Sequence, residues 1–285
     1  MAVHKRSYHA YTGALTERWR RFLVVSRYAF ENATSSKRFV AYLSLCCFYP
    51  LGCALAVYAN SNQRLLALFD AASFFDVNGS FFFHFLGVQG FLGFVVTALV
   101  GPGLISPDLA NNALPLYLCR PFSRAEYVWG KMFVLVALLS LITWVPGELL
   151  FLLQSSLAGT KWVAANLWMM GSILLGSAIE ILVFSLLALA ISAWIKRRLA
   201  AGAALLGVFF FGAGFAQAIN AVLHTKYGFL FDLANLIGRV EGGLFYQHPK
   251  IAVPASDAAV ALVAISAFCL FLLEKKVKAY DVVRG

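Results

Sequence analysis

Six uninterrupted apolar stretches, each long enough to cross a bilayer, constrain this chain more than any other feature. They fall at residues 39–60, 81–101, 131–153, 166–194, 200–221 and 255–273. A helix rises about 1.5 Å per residue, so about 20 apolar residues cover the hydrocarbon core. At that depth water satisfies no backbone group, and only a helix closes its own hydrogen bonds within one segment. The pattern predicts an all-α integral membrane protein with six transmembrane helices. Composition agrees: 13% of the 285 residues are charged and 61% are hydrophobic, whereas soluble domains are about 25% charged.

Basic residues set the expected orientation. Lys5, Arg6, Arg18, Arg20, Arg21, Arg27, Lys37 and Arg38 precede the first stretch, and Arg120, Arg124 and Lys131 lie between the second and third. Lys196, Arg197 and Arg198 join the fourth and fifth, and Lys275, Lys276, Lys278 and Arg284 follow the last. Only Arg64, Lys161, Lys226, Arg239 and Lys250 fall on the other side. The positive-inside rule then predicts cytoplasmic N- and C-termini. The net charge of +10 borders apolar spans, which suits anionic headgroups of a cell membrane (bacterial inner or plasma membrane). It forms no stripe on a soluble domain, so no nucleic-acid partner is expected. The first 38 residues hold no short apolar leader core, which makes the first span the expected anchor. Of five cysteines, four sit in spans and Cys119 in an inner loop, a distribution that argues against a disulfide framework.

The expected organisation is a cytoplasmic arm over 1–38, one six-helix domain over 39–273 and a cytoplasmic tail over 274–285. The arm carries Trp19 and Phe22 near helical spacing, with Arg21 and Arg27 largely elsewhere between Leu15 and Phe30. A cationic helix with an aromatic face favours the headgroup boundary, so an amphipathic interfacial helix is expected there. The outer segment 222–254 is apolar around Phe229–Ile237 and predicts short helices dipping back toward the bilayer. Gly202, Gly207, Gly212 and Gly214 crowd the fifth span, suiting either packing inside the bundle or a seam with another helix. No internal repeat is visible.

The inner loop over 102–130 is the most informative segment. Ser106, Pro107 and Asp108 read as a helix start: a capping hydroxyl, proline in the first turn and a carboxylate at the positive dipole end. Leu109, Ala113, Leu116 and Tyr117 continue at helical spacing, Pro115 strains that helix, and Pro121 breaks it. Ser123 with Glu126 three residues later is a capping box that opens the third span. Gly130-Lys131 is no phosphate loop, since Ala125 stands where the first glycine belongs and Met132 follows the lysine.

This loop resembles the signature of ABC type-2 permeases, the membrane subunits of one class of ATP-binding-cassette exporters. The resemblance rests on Asp108, Leu114, Leu116, Leu118, Pro121, Ser123, Arg124, Gly130 and Lys131 in ungapped register; Asn112 and Ala113 stand where the pattern has Gly-Thr. It implies an ABC type-2 exporter-like bundle whose loop seats a coupling helix in an ATPase subunit. Asp108, Leu109, Asn112, Leu114, Leu116, Arg120, Pro121, Ser123 and Arg124 would form that coupling element. It also implies two ABC ATPase (nucleotide-binding) subunits and a second six-span permease subunit, identical or not. ATP and magnesium would then belong to the partner ATPase, and no cofactor, metal or catalytic residue to this chain.

Glu148 and Glu180 fall inside predicted spans, where a charge costs at least about 2.5 to 3.5 kcal/mol. Each is a candidate pathway residue or cation contact, or a neutral hydrogen-bonded glutamate between helices. Glu148 follows Pro146 and Gly147 near the outer end of its span, within reach of the interface. An ion-driven carrier using Glu180 is the alternative reading, as is a non-transporting anchor or sensor on the same fold. A lipid-modifying enzyme is disfavoured, since no acid, base and nucleophile cluster together.

Overall fold

The computed structural model describes Glu17 and residues 20–62, 75–113, 123–247 and 253–277. Its helices are α1 (Arg21–Thr34), α2 (Lys37–Ser61), α3 (Gly79–Val100), α4 (Pro102–Ala110), α5 (Arg124–Ile142), α6 (Trp144–Ala158), α7 (Thr160–Trp194), α8 (Arg198–Leu223), α9 (Leu233–Leu244) and α10 (Ala255–Lys276). A 3-10 turn, Tyr227–Phe231, precedes α9. No strand occurs among the described residues. Six helical segments are long and apolar enough to span a membrane, as the apolar stretches predict.

Two of those segments are jointed, and proline explains both joints. The second runs over Gly79–Ala110 with a turn at Gly101. Pro102 has no N–H to offer the carbonyl four residues back, and a Cβ on Gly101 would strike the Ala188 side chain. The third segment, expected as one helix over 131–153, changes direction at Thr143, whose ψ is −88°. Pro146 withholds its donor from that turn, while the Thr143 hydroxyl donates to the Leu139 carbonyl at 2.9 Å.

Helix α7 is the hub. Its 35 residues extend about 52 Å at 1.5 Å per residue, and it packs on α3, α4, α5, α6, α8, α9 and α10. Its apolar window is 72% buried, against 11% in α2 and 17% in α8. Small residues at Ser172, Gly176, Ser177, Ser185, Ala188 and Ser192 let neighbours approach α7 closely. Helices α2 and α8 present apolar side chains such as Leu55, Phe48 and Phe211 outward.

Helix α1, the start of α5, the ends of α7 and α10 and the start of α8 meet at one end of the bundle, the basic end. There the Trp194 indole donates to the Leu272 carbonyl at 3.3 Å, and Lys276 Nζ lies 5.2 Å from the same ring. The 3-10 turn and α9 fold back at the opposite end, against α7, α8 and α10. A Cβ on Gly212 would meet the Phe231 carbonyl, so this glycine of the fifth span serves packing within the bundle. Gly202 faces Pro102, whereas Gly214 has nothing within 4 Å of where a Cβ would stand.

Candidate functional site

The two helices that flank the inner loop are fastened together at the basic end. Asp108, near the end of α4, accepts from Lys131 Nζ at 2.8 Å and from the Tyr127 hydroxyl at 2.7 Å, both through Oδ2. Lys131 and Tyr127 sit four residues apart on one face of α5, which is why both reach the same carboxylate. The ion pair is nearly dry, with side-chain exposure of 8% for Lys131 and 17% for Asp108. Removing one partner of such a pair leaves an uncompensated buried charge and costs about 3–5 kcal/mol.

A second set of bonds ties α4 to the hub. The Ser192 hydroxyl on α7 accepts from the backbone N–H groups of Ile105 and Ser106 at 3.1 and 2.9 Å. The Ser106 hydroxyl donates to the Ser192 carbonyl at 3.0 Å. Ser106 is therefore not the cap expected from the sequence. The helix already begins at Pro102, and Pro107 lies inside it. A buried serine that satisfies another helix has replaced a terminal serine that satisfies its own.

Asn112 accounts for one departure from the permease signature. Its φ is 50°, the left-handed region, and the Ala113 N–H donates to the Asp108 carbonyl at 2.8 Å. That is a helix C-terminal turn in which glycine is commonest and asparagine is tolerated. Asn112 can thus stand where the pattern carries glycine.

Gly130 and Lys131 divide two tasks. A Cβ on Gly130 would press on the Phe22 carbonyl and on Val25 of α1. The Ser26 hydroxyl donates to the Gly130 carbonyl at 2.7 Å, and the Phe22 and Phe133 rings meet edge to face at 6.1 Å. Glycine brings the arm onto α5, while lysine brings α4 onto α5. The face of α1 turned to the bundle holds Phe22, Val25, Ser26, Ala29 and Ala33, small enough for this approach. Leu23, Val24, Tyr28 and Phe30 are exposed instead. Among the described residues the apolar side chains foreseen for one face of the arm are thus split between the bundle and the surroundings, and α1 spans Arg21–Thr34, while residues 15, 16, 18 and 19 of the expected helix lie outside the described residues.

The remaining expected residues are dispersed around this clamp. Leu109 is half-buried on α4, and Arg124 is exposed at the first turn of α5. Ser123 forms the capping box: its hydroxyl accepts from Glu126 N–H at 3.1 Å, and its own N–H donates to Glu126 Oε2 at 2.6 Å. Arg27 pairs with Glu31 at 2.9 Å on the exposed side of α1. Arg21 opens α1. Trp19, Leu114, Leu116, Arg120 and Pro121 lie outside the described residues.

Glu148 and Glu180 are 7% and 3% exposed, so Glu148 does not reach out to an interface. Neither carboxylate oxygen of Glu148 has a hydrogen-bond partner among the described residues, nor has Oε2 of Glu180. The two are not brought together. The acid buried beside this stretch of α7 is Glu241 on α9, whose side chain lies against Gly176, one turn before Glu180, and which the sequence reading does not single out. Its signal is present: Leu233, Ile237 and Glu241 recur every four residues, placing a carboxylate on the apolar face of a short helix.

No group of His, Cys, Asp or Glu among the described residues has metal-holding geometry. Compared with known protein families, residues 24–237, well over half of the chain, match the family described as ABC-2 family transporter protein. No curated protein matches the chain.

Proposed function

The chain belongs to the ABC-2 family of transporter proteins and is an integral membrane protein of the cell membrane, and from that premise we propose that it is the permease subunit of an exporter driven by a separate ATPase. The Asp108 clamp is the observation that carries this reading. A force applied to the loop between Ala113 and Ser123 reaches α4 and α5 together, because Lys131 and Tyr127 hold Asp108 from the far side of that loop. From α4 it passes to α7 through the paired serines, and α7 touches most of the bundle. Helix α1, bound at Gly130, braces the start of α5.

In this reading the basic end faces the cytoplasm, where ATP and magnesium bind the partner ATPase. Two six-span subunits, identical or paralogous, enclose the path, and the outward apolar faces of α2 and α8 offer surface for pairing. The loop residues 114–122 seat in the ATPase, with Leu109 and Asn112 setting the angle at which the chain leaves α4.

Co-purification in mild detergent tests the partnership: an ATP-binding-cassette ATPase should accompany the chain. Arg124→Glu tests the coupling, because this exposed side chain can change sign without disturbing the core. The variant should melt like the wild type and lose most substrate-stimulated ATP hydrolysis. Unchanged stimulation would remove the loop from the mechanism. A carrier that works alone is the second reading, favoured by the unpartnered carboxylates of Glu148 and Glu180. Transport by the pure chain in liposomes without nucleotide would select it.

A further inference from the structure

Two buried acids lie far from the loop, where α3, α7 and α9 meet. The Glu241 side chain lies against Gly176 of α7, such that a Cβ there would stand 3.4 Å from its Cγ and 3.7 Å from its Oε1. Glu180 follows Gly176 by four residues, on the same face of α7. Its carboxyl group lies on the bare Cα of Gly90 in α3, where any Cβ would displace it. Both glutamates are 3% exposed. Oε2 of Glu180 and Oε1 of Glu241 have no hydrogen-bond partner among the described residues.

The surroundings supply no compensating charge. No ion pair among the described residues involves either glutamate. Arg239, two positions earlier on α9, points to a different face from Glu241, and Asp232 caps that helix by accepting from Asn235 N–H. Helix α7 carries no basic residue between Lys161 and Lys196, and α3 carries none, its titratable His84 being exposed. Asp257 at the start of α10 and His224 and Lys226 after α8 are at least partly exposed, and Glu148 on α6 is itself acidic. A further polar group points to a ligand here. Ser177, on the Glu180 face one turn earlier, is fully buried, and its hydroxyl has no hydrogen-bond partner among the described residues, unlike Ser172, which bonds back along α7.

We propose that Glu180 and Glu241 form a proton-binding site that stays protonated at neutral pH and seats α9 in the bundle. Two carboxylates taken out of water beside one face of α7, with no ion pair to either among the described residues, are not both kept ionised, so the pair must take up at least one proton. A proton needs only the carboxylates themselves, whereas a hard cation such as calcium takes about six to eight oxygen ligands; the pair and Ser177 offer at most five. Burial pushes the Glu241 carboxyl up to about 8, in line with a proton held at neutral pH. Loss of a proton there would place a buried negative charge at the α7–α9 contact and loosen α9, whose end is held by the Ser172 hydroxyl donating to the Leu244 carbonyl.

The test is an infrared pH titration of the full chain in nanodiscs. The wild type should show a protonated-carboxyl band at neutral pH that carbon-13 glutamate labelling shifts, and this band should lose intensity as pH passes about 8. Glu180→Gln or Glu241→Gln should move the midpoint down by about one unit or more, since each removes its neighbour's charge. Glu148→Gln should leave that step in place. The proposal fails if the labelled wild type has no glutamate band at neutral pH, a result that needs no variant to fold. It fails equally if the single variants leave the midpoint unmoved, or if sodium or potassium at fixed pH removes the band.

Discussion

The basic end of this bundle and the opposite end, where α9 folds back, bury carboxylates in opposite ways. At the basic end Asp108 is met by an ammonium and a phenol, both within 2.8 Å. At the opposite end Glu180 and Glu241 are both buried where α7 and α9 pack, with no ion pair to either among the described residues. A paired charge of the first kind fixes geometry, because each partner is expensive to leave alone. An unpaired acid of the second kind responds to its surroundings, because a proton can come and go. In the proposed reading one chain carries a rigid joint where force would enter and a titratable joint where a short helix folds back.

That contrast predicts opposite consequences for removing charge. Lys131→Met should be the most damaging change, lowering stability by about 3–5 kcal/mol as Asp108 is stranded. Thermal melting in detergent would read this as a large drop. Tyr127→Phe removes one hydrogen bond to the same carboxylate and should cost about 1.5–3 kcal/mol. At the other end the sign reverses. A carboxyl raised by burial from 4.5 to about 8 contributes stability that is full below its unfolded value and is lost as pH rises toward the folded one. Between about pH 6 and 7, Glu241→Gln should therefore gain about 1.4 kcal/mol on the wild type. A variant whose stability tracks the wild type across that interval would erase the contrast. The smallest effect belongs to Ser123→Ala, which opens the capping box and should cost about 1 kcal/mol, visible as a small fall in melting temperature.

Much of this architecture is legible in the amino-acid sequence. The six spans follow from apolar length alone, and the capping box of Ser123 and Glu126 is local chemistry that no tertiary contact overrides. The joints at Gly101 and Thr143 are harder to read, since proline says where a helix can break and packing decides whether it does. The clamp is half visible. Asp108 and Lys131 both belong to the permease signature, yet a pairing 23 positions apart is set by how α4 and α5 cross. Ser106 shows the opposite failure: a sound local rule makes it a cap, and Ser192, distant in the chain, claims it instead. Glu241 escapes notice because one acid in a long outer segment reads as a solvated residue, and only the packing of α9 on α7 buries it.

The claim on which the mechanism depends is that α4 and α5 move as one body because Asp108 and Lys131 are coupled. A double-mutant cycle with Asp108→Asn, Lys131→Met and the pair, read by thermal unfolding of the intact chain, measures that coupling directly. The account predicts an interaction of about 1–3 kcal/mol, with the double variant far less damaged than the two single losses together. Strict additivity of the two substitutions would show that the helices are not joined through this pair, and would contradict it.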